Sequence, residues 1–336
     1  MKKLIVSFLT ILIITWAATP VMAMTLQRIW TMQSSVTATC YNPSGTRLMV
    51  GTDLGQLRKI DVSYYDCAYW GKVYTDAKNM SLYPQDTNDF NRLGGRINNI
   101  TFSGDGTYMA VSSADGNVGI YQGAWDVVLH VLHTDHDPLC AVFNSSGSKL
   151  LVSCDDGTIQ VWNTKTGAKI SEINLGKTCY KADFYQGDAK VVAGLYDLGG
   201  TVVVANLTNG MVEKAFPAHS FGICDMALSP AANIVVTTGY DAKIAVRDYS
   251  TLTLLRTVDT YLAQINWLEL SSDRAKILAG FSDGSLIIFK TSDLTELDRR
   301  QDGRQTNSEL LALAVREQGS FFAAGYADGS IAIYAY

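Results

Sequence analysis

Residues 140–162 read CAVFNSSGSKLLVSCDDGTIQVW, and their pattern returns along almost the whole chain. An alternating apolar strand leads into a small polar turn, and a second strand ends on a small residue. Asp-Gly follows, and then a third strand closing on an aromatic. Such alternation marks half-buried strands, and Asp-Gly marks the tight hairpins between them. Residues 100–121 (ITFSGDGTYMAVSSADGNVGIY), 268–289 (LELSSDRAKILAGFSDGSLIIF) and 313–334 (LAVREQGSFFAAGYADGSIAIY) repeat the module.

The spacing supplies the architecture. Asp115 and Asp156 stand 41 residues apart, Asp241 and Asp283 42, and Asp283 and Asp328 45. The longer gap between Asp156 and Asp241 has room for a further unit, supplied by VVAGLYDLGGTVVVA at 191–205. Residues 41–61 provide a looser first unit, which brings the expected number to seven. A single small sheet cannot bury both faces, whereas sheets stacked around an axis bury each other, so the reading is an all-β, seven-bladed propeller. The last unit ends at Tyr336 after only three strands. The stretch 25–32 is expected to supply the fourth and so close the ring by sheet pairing. No linker interrupts the repeats, so residues 24–336 read as one domain.

These units resemble WD40 repeats, which end a hairpin in Asp-Gly-Thr followed by Trp-Asp; here Asp156, Gly157 and Thr158 precede Trp162 and Asn163. Tyr121, Phe289 and Tyr334 hold the tryptophan position in other units, while Arg247 and Ala205 depart from it. The family's Gly-His pair survives as Ala218-His219, and Leu54 stands where the first unit's aspartate is expected. The resemblance implies that Asp115, Asp156, Asp241, Asp283 and Asp328 are turn residues serving separate blades, rather than carboxylates sharing a metal.

Residues 1–23, MKKLIVSFLTILIITWAATPVMA, have the charged start, apolar middle and small-residue end of a secretory signal, with cleavage expected after Ala23. A retained anchor is the alternative. The expected location is the periplasm or the exterior, including association with the cell surface, with no integral membrane domain after cleavage. Loss of Lys2 and Lys3 would leave 25 basic against 32 acidic residues. That acidic balance argues against nucleic acid as a partner.

Chemistry is sparse. Three histidines, His130, His133 and His136, accompany Asp135 and Asp137 within LHVLHTDHD at 129–137, a donor set that suits zinc. A regular strand would spread these side chains over two faces, so polar surface residues are the favoured reading and no metal is assigned. No nucleophile elbow, HExxH or phosphate loop occurs, so neither catalytic residues nor a cofactor is expected. The six cysteines are scattered, and disulfide pairing stays open.

Recognition is expected elsewhere. The interval before the second unit is about one half longer than the repeat and holds an insertion at 74–95, YTDAKNMSLYPQDTNDFNRLGG. Its Tyr74, Tyr83 and Phe90, together with Arg96 and the hairpin-end aromatics Tyr196, Tyr240, Phe281 and Tyr326, form the candidate partner-binding set. In the resembling family these positions fall on the top face. The expected function is therefore an exported, non-catalytic scaffold for a protein or peptide. A carbohydrate or small-molecule binding propeller and a metal-dependent propeller enzyme are the alternatives.

Overall fold

The structure is a computed structural model that describes residues 24–32, 34–62, 94–122, 127–260, 262–300 and 308–336. Seven separate antiparallel sheets account for all the described strands. Following β1 (Thr25–Thr31), blade one contains β2 (Val36–Tyr41), β3 (Arg47–Thr52) and β4 (Leu57–Asp61). Blade two contains β5 (Ile97–Phe102), β6 (Tyr108–Ser113), β7 (Asn117–Gln122) and β8 (Val127–His133). Blade three is built from β9 (Pro138–Phe143), β10 (Lys149–Cys154), β11 (Thr158–Asn163) and β12 (Lys169–Asn174). Blade four follows with β13 (Cys179–Tyr185), β14 (Lys190–Leu195), β15 (Thr201–Asn206) and β16 (Val212–Pro217). Blade five has β17 (Ile223–Ser229), β18 (Ile234–Gly239), β19 (Lys243–Asp248) and β20 (Leu254–Asp259). Blade six has β21 (Ile265–Leu270), β22 (Lys276–Phe281), β23 (Leu286–Lys290) and β24 (Glu296–Arg300). Blade seven takes β25 (Leu310–Val315), β26 (Phe321–Tyr326) and β27 (Ser330–Ala335).

Within each blade the strands meander from the axis outward. The innermost strands β2, β5, β9, β13, β17, β21 and β25 contact one another in that order, and β25 returns to β2. Each core cluster lies between two neighbouring blades. Ile234 and Val246 of blade five meet Ile265 and Ile277 of blade six, and Ala312 and Ile331 of blade seven meet Val36 and Val50 of blade one. Burial of both faces of every sheet explains the near-continuous apolar runs in the second and third strands.

Small residues permit the close approach. A Cβ on Gly51 would lie 2.4 Å from Ile97 Cγ2, and one on Gly325 would lie 2.4 Å from Val36 Cγ1. The same relation holds for Gly194 against Ile223 and Gly280 against Leu310. This is why the second strand of these units carries glycine near its end.

The expected closure by the N-terminal strand requires correction. β1 does pair antiparallel with β27, from Thr25 opposite Ala335 to Thr31 opposite Ser330. It is the outer edge of an open four-stranded sheet, however, and no sheet is closed. The step from the last blade to the first is made by side-chain packing of β25 and β26 on β2. Blade one shows three strands among the described residues.

Candidate functional site at the mouth of the central channel

One backbone hydrogen bond recurs in every blade and defines the face on which the innermost strands begin. The residue after the second strand donates to the carbonyl just before the first: Asp53 to Ser35, Ala114 to Arg96, Asp155 to Asp137, Tyr196 to Thr178, Tyr240 to Gly222, Ser282 to Gln264 and Ala327 to Glu309. This joins each second hairpin to the loop entering its blade. The hairpins are held by aspartates. Asp156 accepts Thr158 N–H at 2.9 Å, Asp283 accepts Ser285 N–H at 3.0 Å and Asp328 accepts Ser330 N–H at 2.8 Å. Asp115 and Asp241 do the same for Asn117 and Lys243, and Asp241 also accepts from Ser220 N–H.

Just inside this face every innermost strand has an irregularity. The pairing register skips Thr37, Asn98, Leu139, Tyr180, Cys224, Asn266 and Leu311, one residue per blade. A bulge leaves its extra residue outside the ladder and re-aims the side chain. All of these residues line one cavity of about 330 Å³ at the axis. Three of them tie a blade to the next: Thr37 Oγ1 donates to Ile97 O at 2.6 Å, Asn98 Nδ2 to Pro138 O at 3.0 Å and Asn266 Nδ2 to Leu310 O at 3.2 Å.

The cavity floor is charged. Lys181 Nζ lies 3.2 Å from Asp225 Oδ1 and 5.7 Å from the Trp267 ring centroid. Asp225 also accepts Met226 N–H and Leu268 N–H, both at 2.8 Å, which bridges blades five and six. Burial alone would depress the Lys181 ammonium, but the carboxylates of Asp225 and Glu269 reverse that and hold it charged. Burial pushes the Glu269 carboxyl up to about 7 and that of Asp183 up to about 6, despite the opposing pull of Lys181.

The sequence-derived set is divided by the structure. Tyr74, Tyr83 and Phe90 lie outside the described residues, as does most of the 74–95 insertion. Arg96 is exposed on the cavity wall, where Nε donates to Asn98 Oδ1 at 3.0 Å. Tyr196 and Tyr240 are exposed and pack edge to face with ring centroids 5.3 Å apart; Tyr180 meets Tyr196 at 5.6 Å. Burial pushes the Tyr240 phenol up to about 12. Phe221 and Leu198 are exposed on neighbouring loops of the same face.

Two of the candidates are corrected. Phe281 is fully buried in the core between blades five and six, and Tyr326 is buried with its hydroxyl 3.3 Å from that of Tyr334. Both sit one residue earlier in their strands than Tyr196 and Tyr240 do relative to theirs: Phe281 and Tyr326 are the last strand residues, whereas Tyr196 and Tyr240 follow the strand end. That single position turns the ring from solvent into the blade interface. Arg247, which departs from the tryptophan position, is buried as well; its guanidinium stacks 4.6 Å from the Phe216 centroid and donates to Leu252 O.

The three histidines of 129–137 do not converge. His130 bonds Lys165 O at 2.9 Å, His133 bonds Asn117 Oδ1 at 2.6 Å and His136 lies 3.3 Å from Asp156. His136, Asp155 and Asp156 do form a small group of potential ligands, on an exposed hairpin. Cys40, Cys140, Cys154, Cys179 and Cys224 are free thiols. Among the described residues no helix is long and apolar enough to cross a membrane.

Sequence reasoning missed the bulge ring and the Lys181–Asp225 pair. A one-residue slip within an alternating strand leaves no compositional trace. Asp225, however, is an aspartate inside ICDMALS, an otherwise apolar strand, and a charge in such a place signals a partner.

Comparison with known proteins agrees with this geometry. The family model described as WD domain, G-beta repeat matches residues 90–122, 127–163 and 210–248. The chain is 24% identical over 235 residues to autophagy-related protein 16 of Arabidopsis thaliana, covering 66% of this chain and 46% of that protein. It is 23% identical over 201 residues to the serine-threonine kinase receptor-associated protein of Gallus gallus, covering 58% and 55%. Against the protein ROOT INITIATION DEFECTIVE 3 of Arabidopsis thaliana it is 24% identical over 246 residues, covering 67% and 52%. The matches span about half the length of these relatives.

Proposed function

We propose that this chain, a divergent WD40-repeat β-propeller, is a non-catalytic scaffold that holds a protein or peptide across the face carrying its channel mouth. The observation that carries this reading is the exposed Tyr196–Tyr240 pair beside a cavity to which every blade contributes. Tyrosines that are rigid, half-solvated and adjacent to a concave polar site suit interface anchors. None of the relatives' names denotes catalysis, and one of them is named for association with a receptor. The 1–23 segment supports export, with Met24 as the mature N-terminus.

A second reading has one specific observation in its favour. Asn98, Gln264, Asn266, Arg96 and Glu309 converge with Tyr180, Tyr240 and Trp267 on a cavity of about 330 Å³, which is within the size range of small-ligand sites. A glycan or small molecule is therefore the alternative occupant.

The test is affinity recovery of the full-length protein from its own cell envelope after in-cell crosslinking, compared with a Tyr196→Ala/Tyr240→Ala variant and an Ile170→Ser control on the outer strand β12. The scaffold predicts one protein partner retained by the control and depleted at least tenfold by the double variant, on mature chains beginning at Met24. Equal recovery by all three would remove the face from consideration and turn attention to the cavity ligand.

A further inference from the structure

The charges on the two faces of the ring differ. On the mouth face the second hairpin of every blade carries an aspartate, and Asp53, Asp115, Asp155, Asp283 and Asp328 are exposed. Asp135, Asp137 and Glu309 add to them from the entering loops, against Arg96, Lys177, Lys243 and Arg299, the last beside Asp283. The opposite face carries both signs in ion pairs, Lys149 with Asp188, Lys190 with Glu213, Arg274 with Glu317 and Lys290 with Asp293, and the mouth face has its own in His136–Asp156 and Lys243–Asp259. Hydrogen bonds from Thr158 and Thr158 N–H, together with nearby His136, outweigh burial and hold the Asp156 carboxyl below its ordinary range.

An apolar strip lies on blades four and five, between the exposed hairpin aspartates Asp155 of blade three and Asp283 of blade six. Leu198 is 86% exposed, Phe221 54% and Tyr196 46%, and the strip runs on through Tyr240 to the cavity rim. Backbone packing fixes it: a Cβ on Gly222 would lie 2.3 Å from Tyr196 Cδ2, and one on Gly200 would lie 2.3 Å from Phe221 O. Exposed apolar side chains grouped beside a concave polar site suit contact with a partner.

We propose that the mouth face takes an extended basic peptide segment of a partner protein, whose aromatic or aliphatic side chain seats on the Phe221–Tyr196–Tyr240 strip while its lysines and arginines face the surrounding aspartates. This rests on the scaffold reading and deepens it by specifying the charge of the partner. Complementary charge raises the encounter rate and rejects acidic competitors, and apolar contact supplies residence. Cationic side chains also stack favourably on tyrosine.

The test uses the full-length protein and two fluorescent synthetic peptides, one with tryptophan flanked by lysines and arginines, the other with the same tryptophan flanked by glutamates. Fluorescence anisotropy measures both. The basic peptide is expected to bind at least tenfold tighter, to weaken about tenfold between 0.05 and 0.5 M salt, and to weaken several-fold in an Asp53→Asn/Asp155→Asn/Glu309→Gln variant whose circular dichroism is unchanged. Tyr240→Ala should weaken it without altering the salt slope. Equal binding of both peptides, lost in Tyr196→Ala/Tyr240→Ala, would overturn the charge assignment and leave the scaffold reading intact. Failure of the basic peptide to bind, or binding indifferent to salt, also overturns it; the scaffold reading is then judged by the crosslinking comparison alone.

Discussion

His219 sits at the centre of a buried hydrogen-bond network in blade five. It is buried, with Nδ1 2.9 Å from Asp241 Oδ1 and Nε2 2.9 Å from Thr237 Oγ1. Arg247, which stands where other units carry an aromatic, adds its charge to the pressure against a protonated imidazole. Burial is the larger cause and depresses the His219 pKa despite the pull of Asp241. Since the folded pKa lies below the unfolded one, the unfolded chain takes up the proton first as pH falls through about 6.5. Stability from the neutral imidazole is thus present above that pH and is lost on acidification until the depressed folded value is passed. Glu269 and Asp183, with raised values, contribute the opposite slope, so the diagnostic is a difference between proteins. Between pH 7.5 and pH 5 the Tm of the wild type should fall by roughly 2–4 °C more than that of His219→Gln. Parallel pH profiles for the two proteins would show that His219 is not held neutral by the fold.

At the scale of the element, the repeated strands were legible because their two demands are visible in composition. Alternation together with Asp-Gly turns locates the hairpins, and the glycines at strand ends mark where one blade presses on the next. Gly325 marks the seam between the last blade and the first. A methyl group there would lie 2.4 Å from Val36 Cγ1 and 3.3 Å from Ala312 Cβ, with core on both sides. Gly325→Ala should therefore destabilise the protein by about 1–3 kcal/mol, read as a shift in urea midpoint with unchanged slope. No shift would mean that this seam is looser than the other blade junctions. The exposure of strand-end aromatics was not legible, because a single residue of register separates the buried Phe281 and Tyr326 from the exposed Tyr196 and Tyr240. The bulges were hidden for the same reason.

At the scale of the whole molecule, the ring was legible and its mode of completion was not. Repeat spacing specifies how many blades stack, but it does not distinguish hydrogen-bonded closure from closure by packing. Here β1 finishes an open sheet, and the contact of β25 with β2 completes the circle. The ring gathers one bulged residue from each blade at a single mouth, and on that face the acidic hairpins and the tyrosine strip lie together. The proposed binding surface is assembled from all the repeats, and no single repeat contains it. That dispersal explains why no motif announced it.

The most direct test is site-specific photo-crosslinking in cells with the reactive residue placed at Phe221, at Tyr240, or at Ile170 and Leu254 on the outer strands. The account predicts that Phe221 and Tyr240 capture the same partner protein, joined through an extended segment rich in lysine and arginine, and that Ile170 and Leu254 do not. Capture of that partner from the outer strands, with none from Phe221 or Tyr240, would contradict it.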